Sequence, residues 1–299
     1  MADSQLVVFG DSVEWGQGLL GEQKFSSQLA TKLALTVNVQ AHSGATIGIG
    51  DNHRGQCGPE VPLHYPTIVQ QVQGFQGDPA SVSLILVDGG INDIGVETIL
   101  NPLVSDDRLR FLVKRYCHDE MTTLLKTILG RFNNPATKIV VTGYFPIFSP
   151  KSDLAKILPF LSAISIAVPP QFAEELGQRF ASESVDNAMI FWNESRAQLQ
   201  AAVADIQSPR VTFVDAPFTE DNAMFTDTSW LFNVHFAADP FGLQPEDPAA
   251  GDRHAACIKC FPFNPFEQGV CFIASAGHPN PTGASVYFKA IAGALGIAV

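Results

Sequence analysis

Ser12 is the residue whose type and place most suit it to chemistry. It closes the stretch Val7-Val8-Phe9-Gly10-Asp11-Ser12, in which an unbroken, partly β-branched run ends on a glycine. Such a run reads as a strand buried on both faces, and the glycine lets the backbone turn sharply at its end. Ser12 then falls just past a strand's carboxyl end, where open α/β sheets form a concave crevice and the next helix aims its N-terminal N–H groups. A serine there can be a nucleophile, although an Asp/Ser helix cap has the same spacing. A second strand, Ser83 to Val87, runs into Asp88-Gly89-Gly90-Ile91-Asn92-Asp93. If the two strands are neighbours, the turn at Gly89-Gly90 brings the Asn92 amide beside Ser12.

FGDSVEWGQG is similar to the first sequence block of the SGNH (GDSL) hydrolases, a family of serine esterases and lipases, and three further stretches resemble the family's other blocks in order. These are His42-Ser43-Gly44-Ala45-Thr46, Gly90-Ile91-Asn92-Asp93 and Gly277-His278-Pro279-Asn280, so the likeness frames nearly the whole chain. The resemblance implies Ser12 as nucleophile and His278 as the base that takes its proton. It also implies an oxyanion hole built from the Ser12 and Gly44 backbone N–H groups and the Asn92 side chain. No cofactor and no metal enter that chemistry. One position departs from the family: the aspartate usually found three residues before the histidine is here Ser275. The third group need only accept the imidazole Nδ1–H, so the Ser275 backbone carbonyl is the expected orienter. Asp247, Asp252 and Glu267 are the rival acids nearest in sequence. The absence of any G-x-S-x-G disfavours an α/β-hydrolase.

The elements that must position these residues alternate. A helix is expected from Glu22 to Leu35, a strand from Val37 to Gln40, a long amphipathic helix from Leu109 to Leu129, and strands at Lys138–Thr142 and Val211–Val214. Thr282 to Leu295 reads as a last helix, with His278 in the loop before it. Strand-helix alternation argues a parallel sheet covered on both faces. The expected fold is thus α/β, a flavodoxin-like three-layer sandwich with a central parallel sheet and a mostly helical insertion, in one domain over 1–299. The insertion, residues 150–208, is expected to be a cap or lid, or else helices packed on the sheet edge. Leu154 to Val168 is apolar, and Phe172 to Gln207 reads as two helices. Ten phenylalanines between 213 and 272 show little periodicity. Together with the apolar run they suggest a preference for apolar acyl groups. His53, Cys57 and His64 fall in a loop, 48–66, long enough to line a site.

A net charge of −12 with 18 Lys plus Arg disfavours nucleic-acid partners. No apolar run approaches membrane-spanning length, and Met1 to Gln5 carries no leader pattern, so the expectation is a cytoplasmic protein without an integral membrane segment; a secreted protein trimmed of its leader reads the same. The five cysteines leave three readings open. Cys257, Cys260 and Cys271 could join His254 on zinc, form a disulfide, or stay free. The expected partner is a small-molecule or lipid ester, hydrolysed through an acyl-enzyme. An acyltransferase using the same acyl-enzyme and a non-catalytic binding protein on this scaffold are the alternatives, and nothing in the sequence fixes an oligomeric state.

Overall fold

The fold is given by a computed structural model that describes residues 4–48, 57–164, 166, 174–236 and 243–299. His53, residues 165, 167 and 168 of the apolar run, residues 172 and 173 of the stretch after it, and Phe241 lie outside the described residues.

Five apolar, largely β-branched runs form the sheet: β1 (Gln5–Phe9), β2 (Thr36–Val39), β3 (Val82–Val87), β4 (Lys138–Thr142) and β5 (Val211–Val214). They pair in the order β2-β1-β3-β4-β5, all parallel, which is the flavodoxin-like order. The chain leaves β1 toward one edge and returns to β3 on the other side of β1. The crevice opens at that reversal, between the loops after β1 and β3. Both expected strand-end residues, Ser12 and Asn92, follow those two strands.

Ser12 begins the short helix α1 (Ser12–Trp15), and α2 (Phe25–Leu33) completes the first crossover. Between β2 and β3 comes α3 (Ile68–Gly74). After β3, the single turns α4 (Ile91–Ile94) and α5 (Val96–Ile99) lead to α6 (Asp106–Val113) and α7 (Met121–Arg131). The last two are joined by a π-helical stretch, Lys114–Glu120, so the amphipathic helix expected over 109–129 is one run with an over-wide middle. α8 (Leu154–Ala163) and α9 (Glu174–Ile206) then carry the chain from β4 to β5. The stretch that reads as two helices in sequence is therefore a single helix of 33 residues. It packs on β5, α6 and α7 as the crossover helix of that layer.

The two faces of the sheet are sealed differently. On one, Phe9, Phe75 and Phe132 from β1 and the ends of α3 and α7 meet ring to ring, with Phe75 and Phe132 centroids 5.3 Å apart. On the other, Phe25 of α2 stacks on Tyr287 of α12 (Pro281–Ala294) at 5.2 Å, and the Tyr287 hydroxyl donates to the Gly143 carbonyl at 2.6 Å.

The phenylalanine-rich excursion is more ordered than its sequence suggests. It holds an antiparallel pair, β6 (Val234–Phe236) with β7 (Leu243–Pro245), and two helices, α10 (Ala250–Cys260) and α11 (Pro265–Phe272). The buried positions of these helices are Arg253, Cys257 and Cys271, not aliphatic residues, so no apolar stripe marks them. Disulfides join Cys57 to Cys260 and Cys257 to Cys271, leaving Cys117 free and buried. The sulfurs that a zinc site would use are thus bridged, and one of the two pairings reaches back to the loop at 57. Among the described residues no helix is long and apolar enough to cross a membrane.

Removing the Phe132 ring from its fully buried cluster should cost about 3–5 kcal/mol. Phe263, 95% exposed, should tolerate Phe263→Ala within about 0.5 kcal/mol. Urea-unfolding midpoints of the two variants check the contrast.

Candidate functional site

The turn that presents Ser12 is held from below. At Gly10 (φ +144°) a Cβ would lie 2.0 Å from Asp88 Oδ1, the atom that accepts the Asp11 backbone N–H at 2.8 Å. Only glycine leaves room for that carboxylate at the end of β3 to grip the end of β1. Gln71 fixes the same residue from the side, accepting from Gly10 N at 2.8 Å and donating to its carbonyl at 2.9 Å. Asp11 caps α1 by accepting the Val13 N–H at 2.9 Å, and its other oxygen accepts the Tyr144 hydroxyl at 2.9 Å. Ser12 is therefore both a cap neighbour and a strand-end residue; the two sequence readings describe one geometry.

His278 arrives from the far end of the chain on a clipped turn. Phe232 N donates to the His278 carbonyl at 2.8 Å and Gly277 N donates to the Phe232 carbonyl at 2.9 Å. Asn280 then caps α12 through the N–H groups of Thr282 and Gly283. The result is a hydrogen bond of 2.7 Å between His278 Nε2 and Ser12 Oγ.

Asn92 and Gly44 complete the constellation. One Asn92 Nδ2 hydrogen bond goes to the Ala45 carbonyl at 3.1 Å, which holds the amide and leaves its second N–H for a ligand. Asp93 accepts the Ile47 N–H at 3.0 Å, so adjacent residues of the G-x-N-D turn fasten the 44–47 loop. Among the described residues, no protein acceptor takes the backbone N–H of Ser12 or Gly44. Gly44 (φ +79°) is required for a reason other than approach by a ligand: a Cβ there would lie 2.5 Å from Leu63 N and 2.8 Å from Pro62 C. The loop behind it, stapled at Cys57, leaves no space.

Ser12, Gly44, Asn92 and His278 line one cavity of about 440 Å³. Its walls are mostly apolar: Ile94, Leu100, Phe145, Ile147, Phe160 and Ile164 stand among them. Phe160 and Ile164 come from the expected apolar run. The described phenylalanines of 213–272 do not line the cavity; that segment contributes Val270, and Ile273 follows it, while Phe218, Phe225 and Phe232 are buried elsewhere and Phe263 and Phe266 face solvent. His64 lines the cavity as well.

The Ser275 carbonyl accepts the His278 backbone N–H at 2.9 Å and acts on the buried ring as well, although the geometry of Nδ1 falls short of a regular hydrogen bond to any of the described residues. Burial drives the His278 imidazole down to about 4, outweighing the Ser275 and Ala276 carbonyls and the Asp247 carboxylate, which raise it, and adding to Arg253, which lowers it. The ring is accordingly neutral, a base, at neutral pH. Of the rival acids, Asp252 is exposed, Glu267 is half-buried at the start of α11, and Asp247 is buried and ion-paired to Arg253.

Sequence reasoning did not single out the buried carboxyls beneath Ser12. Asp11, Glu14 and Asp88 are all buried, Glu14 accepts the Thr142 hydroxyl at 2.7 Å, and Glu14 Oε2 and Asp88 Oδ2 have no partner among the described residues. Burial raises Glu14 to about 8 and Asp93 to about 7, and raises Asp88 and Asp11 as well. The signal available in sequence was an acid at each of two strand ends with no basic residue nearby.

No family model matches the chain, and no curated protein matches it. Among solved structures it is similar to a carbohydrate esterase family 2 enzyme plus carbohydrate binding domain from Corynascus thermopiles (Myceliophthora fergusii), at 16% identity over 98% of this chain and 67% of that one, with a TM-score of 0.46. It is also similar to a carbohydrate acetylesterase from Sinorhizobium meliloti, at 14% identity over 71% and 84% of the two chains, TM-score 0.42. A third is the periplasmic domain of a lipopolysaccharide acetyltransferase from Salmonella ser. Paratyphi A, at 12% identity over 99% and 85%, TM-score 0.44. Likeness at this level carries no argument about the reaction, which has to be read from the site itself.

A carboxyl whose folded pKa is raised binds its proton more tightly in the native state, so its contribution to stability is present below the unfolded value and is lost as pH rises through the folded one. For Glu14 that window runs from about 4.5 to about 8. Glu14→Gln should leave Tm nearly unchanged at pH 5 and raise it by several degrees at pH 8.5, as followed by circular dichroism melts at both pH values.

Proposed function

We propose that the chain is a serine hydrolase of carboxylic esters, of the SGNH (GDSL) type, working through an acyl-enzyme on Ser12. The observation that carries this reading is the 2.7 Å contact between His278 Nε2 and Ser12 Oγ at the wall of a mostly apolar cavity. A neutral imidazole at that distance can take the hydroxyl proton as the oxygen attacks an ester carbonyl. The negative charge that develops on the carbonyl oxygen would be met by the Ser12 and Gly44 N–H groups and the Asn92 amide, donors already held in place. His278 then returns the proton to the leaving alcohol, and water repeats the sequence to free the acid. Nδ1–H must be carried through both steps, and a carbonyl has two lone pairs, so the Ser275 carbonyl can accept it in addition to the backbone N–H it already takes.

The cavity lining supports apolar acyl groups as substrates. Phe160 and Ile164 place α8 against the cavity, which supports a covering role for that helix within the 150–208 segment. The two disulfides support residence in an oxidising compartment rather than the cytoplasm expected from the first residues.

A fluorophosphonate probe should label the wild type and not Ser12→Ala; labelling of the variant would assign the nucleophile elsewhere. Across p-nitrophenyl esters, kcat/KM should rise from acetyl to octanoyl by about tenfold or more, and a flat series would make the apolar wall mere core. Asn92→Ala should lower kcat by about a hundred- to thousandfold with KM little changed, as steady-state kinetics on the preferred ester would measure.

A further inference from the structure

Close to the His278 turn lies a buried ion cluster that the reaction above does not use. Arg253, on α10, is the largest fully buried side chain among the described residues, and all five of its N–H donors have acceptors. Nε donates to the Phe272 carbonyl at 2.9 Å. Nη1 donates to Asp247 Oδ1 at 2.9 Å and Glu60 Oε2 at 3.2 Å, and Nη2 to Asp247 Oδ2 at 2.6 Å and Ser275 Oγ at 3.1 Å. The Ser275 hydroxyl in turn donates to Asp247 Oδ2.

Each of these partners leads to the Ser12–His278 pair. Ser275 holds the His278 backbone through its carbonyl, and Phe272 ends the helix that precedes this turn. Glu60 accepts the Trp15 indole N–H at 2.9 Å and lies 3.4 Å from the Gly18 N–H it accepts, while Gln17 Nε2 donates to the Glu60 carbonyl at 2.9 Å. The segment that follows Ser12 is thereby tied to the same guanidinium. The packing there is close: a Cβ at Gly18 would lie 2.8 Å from Ser275 Cβ and 3.1 Å from Asp247 Cβ.

We propose that Arg253 is the positioning residue of the Ser12–His278 pair, its guanidinium fastening the histidine's turn to the segment after the nucleophile and holding Asp247 away from a triad role. A triad acid at position 275 would orient the ring directly. Here Ser275 fills that place, and the nearest buried carboxylate faces the arginine, whose planar fork it matches on both oxygens. Orientation comes from the backbone of the turn, which the arginine locks. The inference rests on the hydrolase reading, but its electrostatic half does not require turnover.

The charged groups facing the ring are Arg253 and Asp247, with Glu60 beyond the arginine; Ser12 faces it from α1, and His64, Asp93 and Glu97 line the same cavity. The test compares Arg253→Gln, Asp247→Asn and the double variant by the His278 ring titration in NMR and by the rate of fluorophosphonate labelling. In Arg253→Gln the Asp247 charge is no longer balanced, so the ring pKa should rise by about one unit or more from its wild-type value near 4. Labelling should slow by about a hundredfold as the turn loosens. Asp247→Asn should move the ring pKa the other way. The double variant leaves no unpaired buried charge and is the one expected to fold even if Arg253→Gln does not; its ring pKa should return close to wild type while labelling stays slow. A folded double variant that labels at the wild-type rate would overturn the proposal, as would an unmoved ring pKa in Arg253→Gln. A wild type that does not label at all would sink the hydrolase reading instead, and the ring pKa of the variants would still decide this one.

Discussion

The hydrogen bond between Ser12 and His278 joins residues 266 apart in sequence, and much of the architecture can be read as what that contact requires. One partner stands on the first strand's turn and the other on the last loop, so neither is placed by local structure alone. The parallel order β2-β1-β3-β4-β5 sets β1 between β2 and β3 and opens the crevice beside it. Gly10, Asp88 and Gln71 fix one end; the clip between Phe232 and His278 and the Asn280 cap fix the other. A hydrogen bond of this kind contributes only about 1 kcal/mol net, so it cannot hold the two ends together. The scaffold holds them, and the contact follows.

The electrostatic surroundings follow from the same burial. Asp11, Glu14 and Asp88 lie in the molecule's interior, and burial pushes their pKa values upward beneath Ser12. Burial acts on His278 with the opposite sign, keeping it uncharged. Burial thus disfavours charge both on the acids below Ser12 and on the imidazole above it. The ion pairing that the chain does bury, Arg253 with Asp247 and Glu60, stands beside the cavity and not in it.

Much of this was legible in the sequence, for identifiable reasons. The strands of the sheet are short apolar runs bounded by turn residues, and β4 and β5 fall where their β-branched residues put them. Ser12 and Asn92 could be placed because each directly follows such a run. What was not legible depends on partners distant in sequence. The helices α10 and α11 bury an arginine and cysteines, so hydropathy gave no period, and the bridge from Cys260 runs to Cys57 on the other side of the fold. At Gly44 the obstacle to a side chain is the 62–63 backbone, a contact between separate segments that no local pattern reveals. Phenylalanines at 213–272 suggested a preference for apolar acyl groups, whereas the cavity takes its rings from Phe145 and Phe160 and none from the described phenylalanines later in the chain. The long helix over 174–206 hides its unity because the apolar pattern alone does not distinguish one long helix from two.

The central claim is that Ser12 carries the acyl group between two half-reactions, with His278 as its base and no acid behind it. The most direct measurement is acid quenching of the enzyme within milliseconds of mixing with a p-nitrophenyl ester, followed by peptide mass mapping. The account predicts an acyl mass on the peptide that contains Ser12, formed in a burst in the wild type and lost in His278→Ala. An acyl mass on a different residue, or hydrolysis with no protein-bound acyl group at any quench time under conditions where acylation outpaces deacylation, would contradict it.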